Sequence, residues 1–199
     1  IMSGRTLNLE NHISRMLDGA KAIKLRTPSL YSTLFFEEKI SELLKKSEIN
    51  EGGRCRLSLD RKPGGAYLPE TNESSFYIEV YPYQVSHFEL NAKGFELDIY
   101  LDIKLQKNFL SNYKTKAGLP YVMAALSAKE KELDDVFMSD YRGNILETSS
   151  CNLFIVSNGV LYTPGLEEGC IAGTMRMQVI NLAIQNGIKV YECAILPQH

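Results

Sequence analysis

The sequence predicts an α+β protein of two units, a small α/β N-terminal domain over residues 1–86 and a larger mixed domain over 87–199. Three observations lead there. Two amphipathic helical patterns open the chain, two alternating segments flank a loop rich in Gly, Pro and Asn, and the second half interleaves short strands with two more helical runs. With 199 residues and 44% hydrophobic content, the chain can bury a core of this size.

Leu9, Ile13, Met16, Leu17, Ala20 and Ile23 recur at helical spacing, with Asn8 available as the cap. A second helix covers YSTLFFEEKISELLKKSE and stops at NEGG. CRLSLDR and SFYIEVYPY alternate with period two on either side of the loop RKPGGAYLPETNES, and QVSHFELNAKG reads as a connector. Beyond it, Phe95, Leu97, Ile99 and Leu101 alternate with Glu96, Asp98, Tyr100 and Asp102, a strand with its apolar side inward. Leu119, Val122, Met123 and Leu126 share one face of the next helix. DVFMSD, ILET, NLFIV and VLYTP, separated by the turns YRGN and SNG, read as an antiparallel meander. TMRMQVINLAIQNG is a helix with Gly187 at its C′ position, and IKVYECAIL is a last strand.

Composition narrows the function. A net charge of −2 offers no basic field for nucleic acid and no polybasic run for a membrane surface. Cys55, Cys151, Cys170 and Cys193 form no C-x-x-C pair, and His12, His87 and His199 are scattered, which argues against a zinc site and for reduced cytoplasmic thiols. No apolar run approaches the ~20 residues of a membrane span. The expectation is a cytoplasmic protein whose partners are small molecules or copies of itself. The abrupt ends, IMSGRTLNLE and CAILPQH, lead us to expect that part of a larger domain lies outside this sequence.

Four places could carry chemistry. GCIAGTMRMQVI opens a helix with small residues, leaving its first amides uncrowded for an anion, yet it matches neither the P-loop nor the dinucleotide fingerprint. Lys114 is by composition a surface charge; desolvated, its amine could form a Schiff base with an aldehyde cofactor. Glu147 is either an exposed acid at a strand end or, if buried, a group needing a cationic or protonated partner, with TSSCN supplying hydroxyls and an amide to hold its surroundings. Arg15, three residues after His12, is either the polar edge of an amphipathic helix or a guanidinium fork for phosphate. The acid pairs Asp134-Asp135 and Glu167-Glu168 read as solvated faces, and no G-x-S-x-G elbow is present.

ENHISRM, NYKTKAGLPYVMAAL, GNILETSSCNLFIVSNGVLYTP and GCIAGTMR, in this order, resemble the helix, lysine segment, glutamate hairpin and phosphate cup of class IV aminotransferases, the pyridoxal-phosphate enzymes of fold type IV. That resemblance implies a D-amino-acid-aminotransferase-like fold with a predominantly antiparallel, barrel-like sheet in the larger domain. It implies that Lys114 anchors pyridoxal 5'-phosphate and moves the substrate α-proton, that Glu147 bonds the pyridine nitrogen, and that Arg15 with the amides of Thr174 and Met175 holds the phosphate. It further implies a homodimer and an exchange of amino groups between an amino acid and a 2-oxo acid. A 4-amino-4-deoxychorismate lyase, which AGTMR also resembles, is the alternative, and an inactive cofactor-binding relative the second. Arg61 and Tyr67, in the glycine-rich loop, are candidates to meet the substrate because Gly64 and Gly65 allow close backbone approach. The R-x-H carboxylate trap of D-amino-acid aminotransferases is absent from DRKPGGAYLPE.

Overall fold

The computed structural model describes residues 1–2, 4–49, 51–83 and 90–199, which fall into two compact units, Ile1–Leu90 and Asn91–His199. The expected boundary at 86/87, most of the connector and His87 lie outside the described residues. None of the helices in the described residues is long and apolar enough to cross a membrane.

The first unit holds α1 (Leu9–Ala22), α2 (Thr33–Lys46), β1 (Gly53–Arg61) and β2 (Ser74–Pro82). Ser32 caps α2 by accepting the Phe35 amide at 3.2 Å. Asn8, expected to cap α1, instead sits in the left-handed region at φ 53° with no side-chain cap bond, and its carbonyl starts the helix by accepting the His12 amide. β1 and β2 pair antiparallel from Gly53↔Pro82 to Arg61↔Ser74. The core is aromatic. Tyr31, Phe35, Phe36 and Phe76 lie with ring centroids 5.1–5.7 Å apart, largely edge to face, and Phe36 is fully buried.

In the second unit, β3 (Leu97–Ile99), β4 (Asp135–Ser139) and β5 (Ile145–Thr148) form one sheet, and β6 (Ile155–Ser157), β7 (Val160–Thr163) and β8 (Val190–Glu192) another. α3 (Leu119–Glu130) joins β3 to β4 and α4 (Thr174–Gln185) joins β7 to β8, so both of these pairs are parallel while β4–β5 and β6–β7 are antiparallel hairpins. This corrects the expectation of a predominantly antiparallel, barrel-like sheet: helical crossovers return the chain in the same direction, and the described strands form open two- and three-stranded sheets. The expected meander also breaks after β5, where, among the described residues, an isolated bridge, Glu147↔Asn152, stands in place of continued strand pairing.

Two burial patterns are reversed. Tyr100, read as an outward residue, is the buried one, while Phe95 and Leu101 are exposed, because only Leu97–Ile99 is regular strand and the Tyr100 amide bonds the Phe137 carbonyl. On α3 the stripe Leu119, Val122, Met123 and Leu126 is exposed, and Ala124 and Ala128 pack against Tyr100, Val136 and Met138. The small residues allow close approach of helix and sheet, which the larger ones would prevent. Gly187 follows the C-cap of α4 with φ 72°, and the Ile188 amide closes on the Ala183 carbonyl, as the sequence suggested.

Truncating Phe36 to Ala should destabilise the protein by about 3–5 kcal/mol, the usual cost of emptying a closed aromatic site. Urea denaturation followed by tyrosine fluorescence measures it.

Candidate active site

The centre of the site is Glu147, on a strand whose four residues are all buried, with its own exposure at 3%. Three donors reach its carboxylate. The Tyr121 hydroxyl donates to Oε1 at 2.7 Å, while the Ile171 amide at 3.1 Å and Asn152 Nδ2 at 3.3 Å donate to Oε2. Burial raises its pKa; the Tyr121 and Ile171 bonds and the nearby charge of Lys114 oppose that rise without cancelling it.

Asp135 makes this arrangement possible. Its carboxylate accepts from the Thr148 and Ser150 hydroxyls at 2.7 and 2.8 Å and from the Val136 and Ser149 amides at 2.7 and 3.1 Å. These bonds hold its pKa low against the opposing effect of burial. They fix the turn after β5, which brings Asn152 back beside Glu147. Asp135 is thus a structural anchor and not the solvated acid the sequence suggested; Glu168 likewise pairs with Arg142.

Asn152 also donates to the Ile171 carbonyl at 2.9 Å, tying β5 to the chain entering α4. Gly173, the N-cap, lies so close that a Cβ there would stand 2.0 Å from Asn152 Oδ1. Its φ of −70° suits any residue, so the requirement for glycine is steric. No side chain caps α4, Thr174 is buried and Met175 exposed. The first-turn amides of such a helix point outward with partial positive charge. Arg176 is buried there, donating through Nη2 to the Pro164 carbonyl and Glu192, while its Nε has no hydrogen-bond partner among the described residues.

Lys114 stands in the loop before α3 and is exposed, in contrast to the desolvated amine considered from sequence. Two residues earlier, Asn112 stitches this loop to the one before α4: Nδ2 donates to the Leu166 and Cys170 carbonyls at 2.9 and 2.7 Å, and its carbonyl accepts the Ala172 amide at 2.9 Å. The loop that carries Lys114, the strand that carries Glu147 and the chain entering α4 are therefore linked in one hydrogen-bonded network through Asn112, Asn152 and Ile171. Cys170 lies within it, buried, with burial and then Glu147 pushing its thiol pKa up to about 11. Asn112 and Tyr121 were missed from sequence, since a loop amide and a helical Tyr carry no distinguishing pattern.

The remaining candidates lie in the first unit. Arg15 is half-buried on α1, where desolvation lowers its pKa; His12, one turn before, is lowered by desolvation and then by the Arg15 charge. Arg61 is committed to its own unit, donating to Asn72 and to the Ile23 carbonyl at 2.8 Å. Tyr67 is fully exposed. Gly65 has φ 80°, and a Cβ there would stand 2.2 Å from the Leu68 carbonyl, so the loop's glycine serves its own close turn.

The family model for amino-transferase class IV matches residues 1–199, and the chain belongs to this family. It is 26% identical over 200 residues to a Methanocaldococcus jannaschii protein described as a branched-chain-amino-acid aminotransferase, covering 95% of this chain and 65% of that protein. The structure of the Thermoproteus uzoniensis branched-chain aminotransferase with norvaline matches with a TM-score of 0.84 and 27% identity, over 96% of this chain and 63% of that one. A Legionella pneumophila protein described as a 4-amino-4-deoxychorismate lyase shares the fold, with a TM-score of 0.87 and 21% identity over 100% of this chain and 71% of that one. The chain thus spans about two thirds of the length of these relatives.

A carboxylate whose folded pKa is raised binds more protons folded than unfolded, so stability falls as pH climbs past the ordinary carboxylate value and stays reduced above the folded one. Glu147→Gln should therefore raise the melting temperature of the protein without added ligands at pH 7.5, by about 2–4 °C for each kcal/mol relieved. The gain should vanish near pH 4; melting curves at both pH values test it.

Proposed function

We propose that this chain is a pyridoxal-phosphate-dependent aminotransferase that exchanges amino groups between an amino acid and a 2-oxo acid. The observation that carries the reading is the buried Glu147, bonded by three donors and joined to the Lys114 loop and the uncapped start of α4. The donor set suits the cofactor: an accessible amine for the aldehyde, a buried carboxylate for the ring N–H, and a helix N-terminus for the phosphate. The cofactor, when bound, supplies the electron sink that stabilises negative charge at the substrate α-carbon.

The residues do the rest. Lys114 would hold the aldehyde and serve as general base for the proton on the substrate α-carbon. Glu147 would accept the ring N–H and hold the proton there. The amides of Thr174 and Met175 would hold phosphate oxygens, helped by the helix dipole. Arg15 as a further phosphate ligand and the homodimer are proposed on the resemblance, the two-domain division at 86/87 on the pattern of helices and strands along the sequence, and a cytoplasmic location on the spacing of the cysteines.

The lyase is a second reading, favoured by one feature: Met175 stands where many family members have a threonine hydroxyl for phosphate. Formation of 4-aminobenzoate from aminodeoxychorismate without added oxo acid would select it. Conversion of bound cofactor to its amine form by an amino acid selects the transaminase.

Lys114→Ala should abolish turnover and the visible absorbance of bound cofactor while leaving the far-UV circular dichroism unchanged; retained turnover rejects the assignment. Glu147→Gln should keep the cofactor but slow turnover by about 10²–10³-fold, the usual loss for one electrostatic stabiliser. Single-turnover absorbance kinetics measure it.

A further inference from the structure

We propose that Tyr121 is a positioning residue for Glu147: its hydroxyl holds Oε1 and leaves one acceptor position on that oxygen for an incoming ring N–H. The inference rests on the proposed function, and it assigns Tyr121 a role through Glu147.

Acceptor capacity is the first argument. An ionised carboxylate offers about four lone-pair positions, two per oxygen. Oε2 already accepts from Asn152 and Ile171, whereas Oε1 accepts from Tyr121. Among the described residues, the open position is therefore on the oxygen that Tyr121 grips. A bond at 2.7 Å from hydroxyl to carboxylate is of the short, charge-assisted kind, which fixes the carboxylate's rotation as well as its charge.

Packing is the second. Tyr121 lies one turn before Ala124 on the side of α3 that meets the sheet, and it packs against the cluster of Tyr100, Ala124, Ala128, Val136 and Met138. Turning the large stripe of α3 inward, as its hydrophobic pattern favours, would swing this hydroxyl away from β5. The helix instead buries alanines and leaves Leu119 69% exposed.

Proton placement is the third. A proton shared between a ring nitrogen and Oε1 rests on the more basic atom, and every donor to the carboxylate lowers its basicity. Tyr121 thereby biases the proton toward the ring. Burial and Glu147 both push the phenol's own pKa up, so it stays a donor throughout the working pH range. The other titratable groups acting here are Lys114, whose charge also favours the ionised carboxylate, and Cys170, whose raised thiol remains neutral.

The test is a carboxyl titration of the full chain without cofactor, by infrared difference spectroscopy with the Glu147 band assigned through Glu147→Gln. Tyr121→Phe should raise the Glu147 midpoint by about one pH unit, a tenfold rise in proton affinity on the scale of a lost charge-assisted bond. Tyr121→3-fluorotyrosine, nearly isosteric and a stronger donor, should lower it below wild type, and this variant decides alone if the Phe protein does not fold. An order Phe above wild type above fluorotyrosine supports positioning through Glu147; equal midpoints overturn it. Pyridoxal phosphate added to wild type is read separately by visible absorbance. Graded midpoints without cofactor binding keep the Tyr121–Glu147 coupling and overturn the functional reading, while cofactor binding with equal midpoints overturns the inference alone.

Discussion

A carboxylate inside a protein must be given partners, and the second unit is organised around giving them to Glu147. An isolated charge on a fully buried strand would neutralise itself by taking a proton. Three neutral donors and a nearby lysine reduce that tendency without removing it. Each donor comes from a different stretch: Tyr121 from α3, Asn152 from the chain after β5, Ile171 from the approach to α4. The demands of one side chain thus bring together stretches far apart in sequence. The remaining imbalance leaves the group receptive to a cationic N–H.

Backbone geometry enforces the same convergence. Asp135, at the start of β4, spends its oxygens on the turn 148–151, and that turn decides where Asn152 points. Asn152 in turn excludes any side chain at Gly173. Asn112 performs the matching task on the other side, clamping the lysine loop to the loop before α4. Polar side chains with fixed donors bridge loops here because loop carbonyls near a buried site need partners as much as the carboxylate does.

Much of this was legible in the sequence, and the failures have physical causes. The helices α1, α2 and α4, the hairpin turn before Asn144 and the C-terminal glycine of α4 follow from local rules that tertiary contacts did not override. The ordered motifs single out Lys114, Glu147 and Thr174 as candidates; of these, Glu147 is the buried acid held by Tyr121, Asn152 and Ile171. Burial on α3 was misread because hydrophobic periodicity reports which face is apolar, whereas packing also depends on how close a helix must come. Asp135 was misread because an acid beside another acid resembles a solvated edge, and its partners Thr148 and Ser150 are more than a dozen residues away. Arg61 drew attention for its charge, but Asn72 and the Ile23 carbonyl already use it.

Topology explains why the site lies where it does. Both parallel crossovers of the second unit run strand, loop, helix, strand, and the loops leaving their first strands are bonded to each other: residues 111–118 ahead of α3 and 164–173 ahead of α4. Loops beyond the carboxyl ends of parallel strands are where open α/β sheets accommodate ligands, since helix N-termini open there. β5 contributes the acid from within a hairpin. Two crossover loops and one buried strand therefore supply three kinds of group, an amine, an anion-seeking helix end and a carboxylate. Asn112 and Asn152 tie the two crossover loops and β5 together through side-chain bonds.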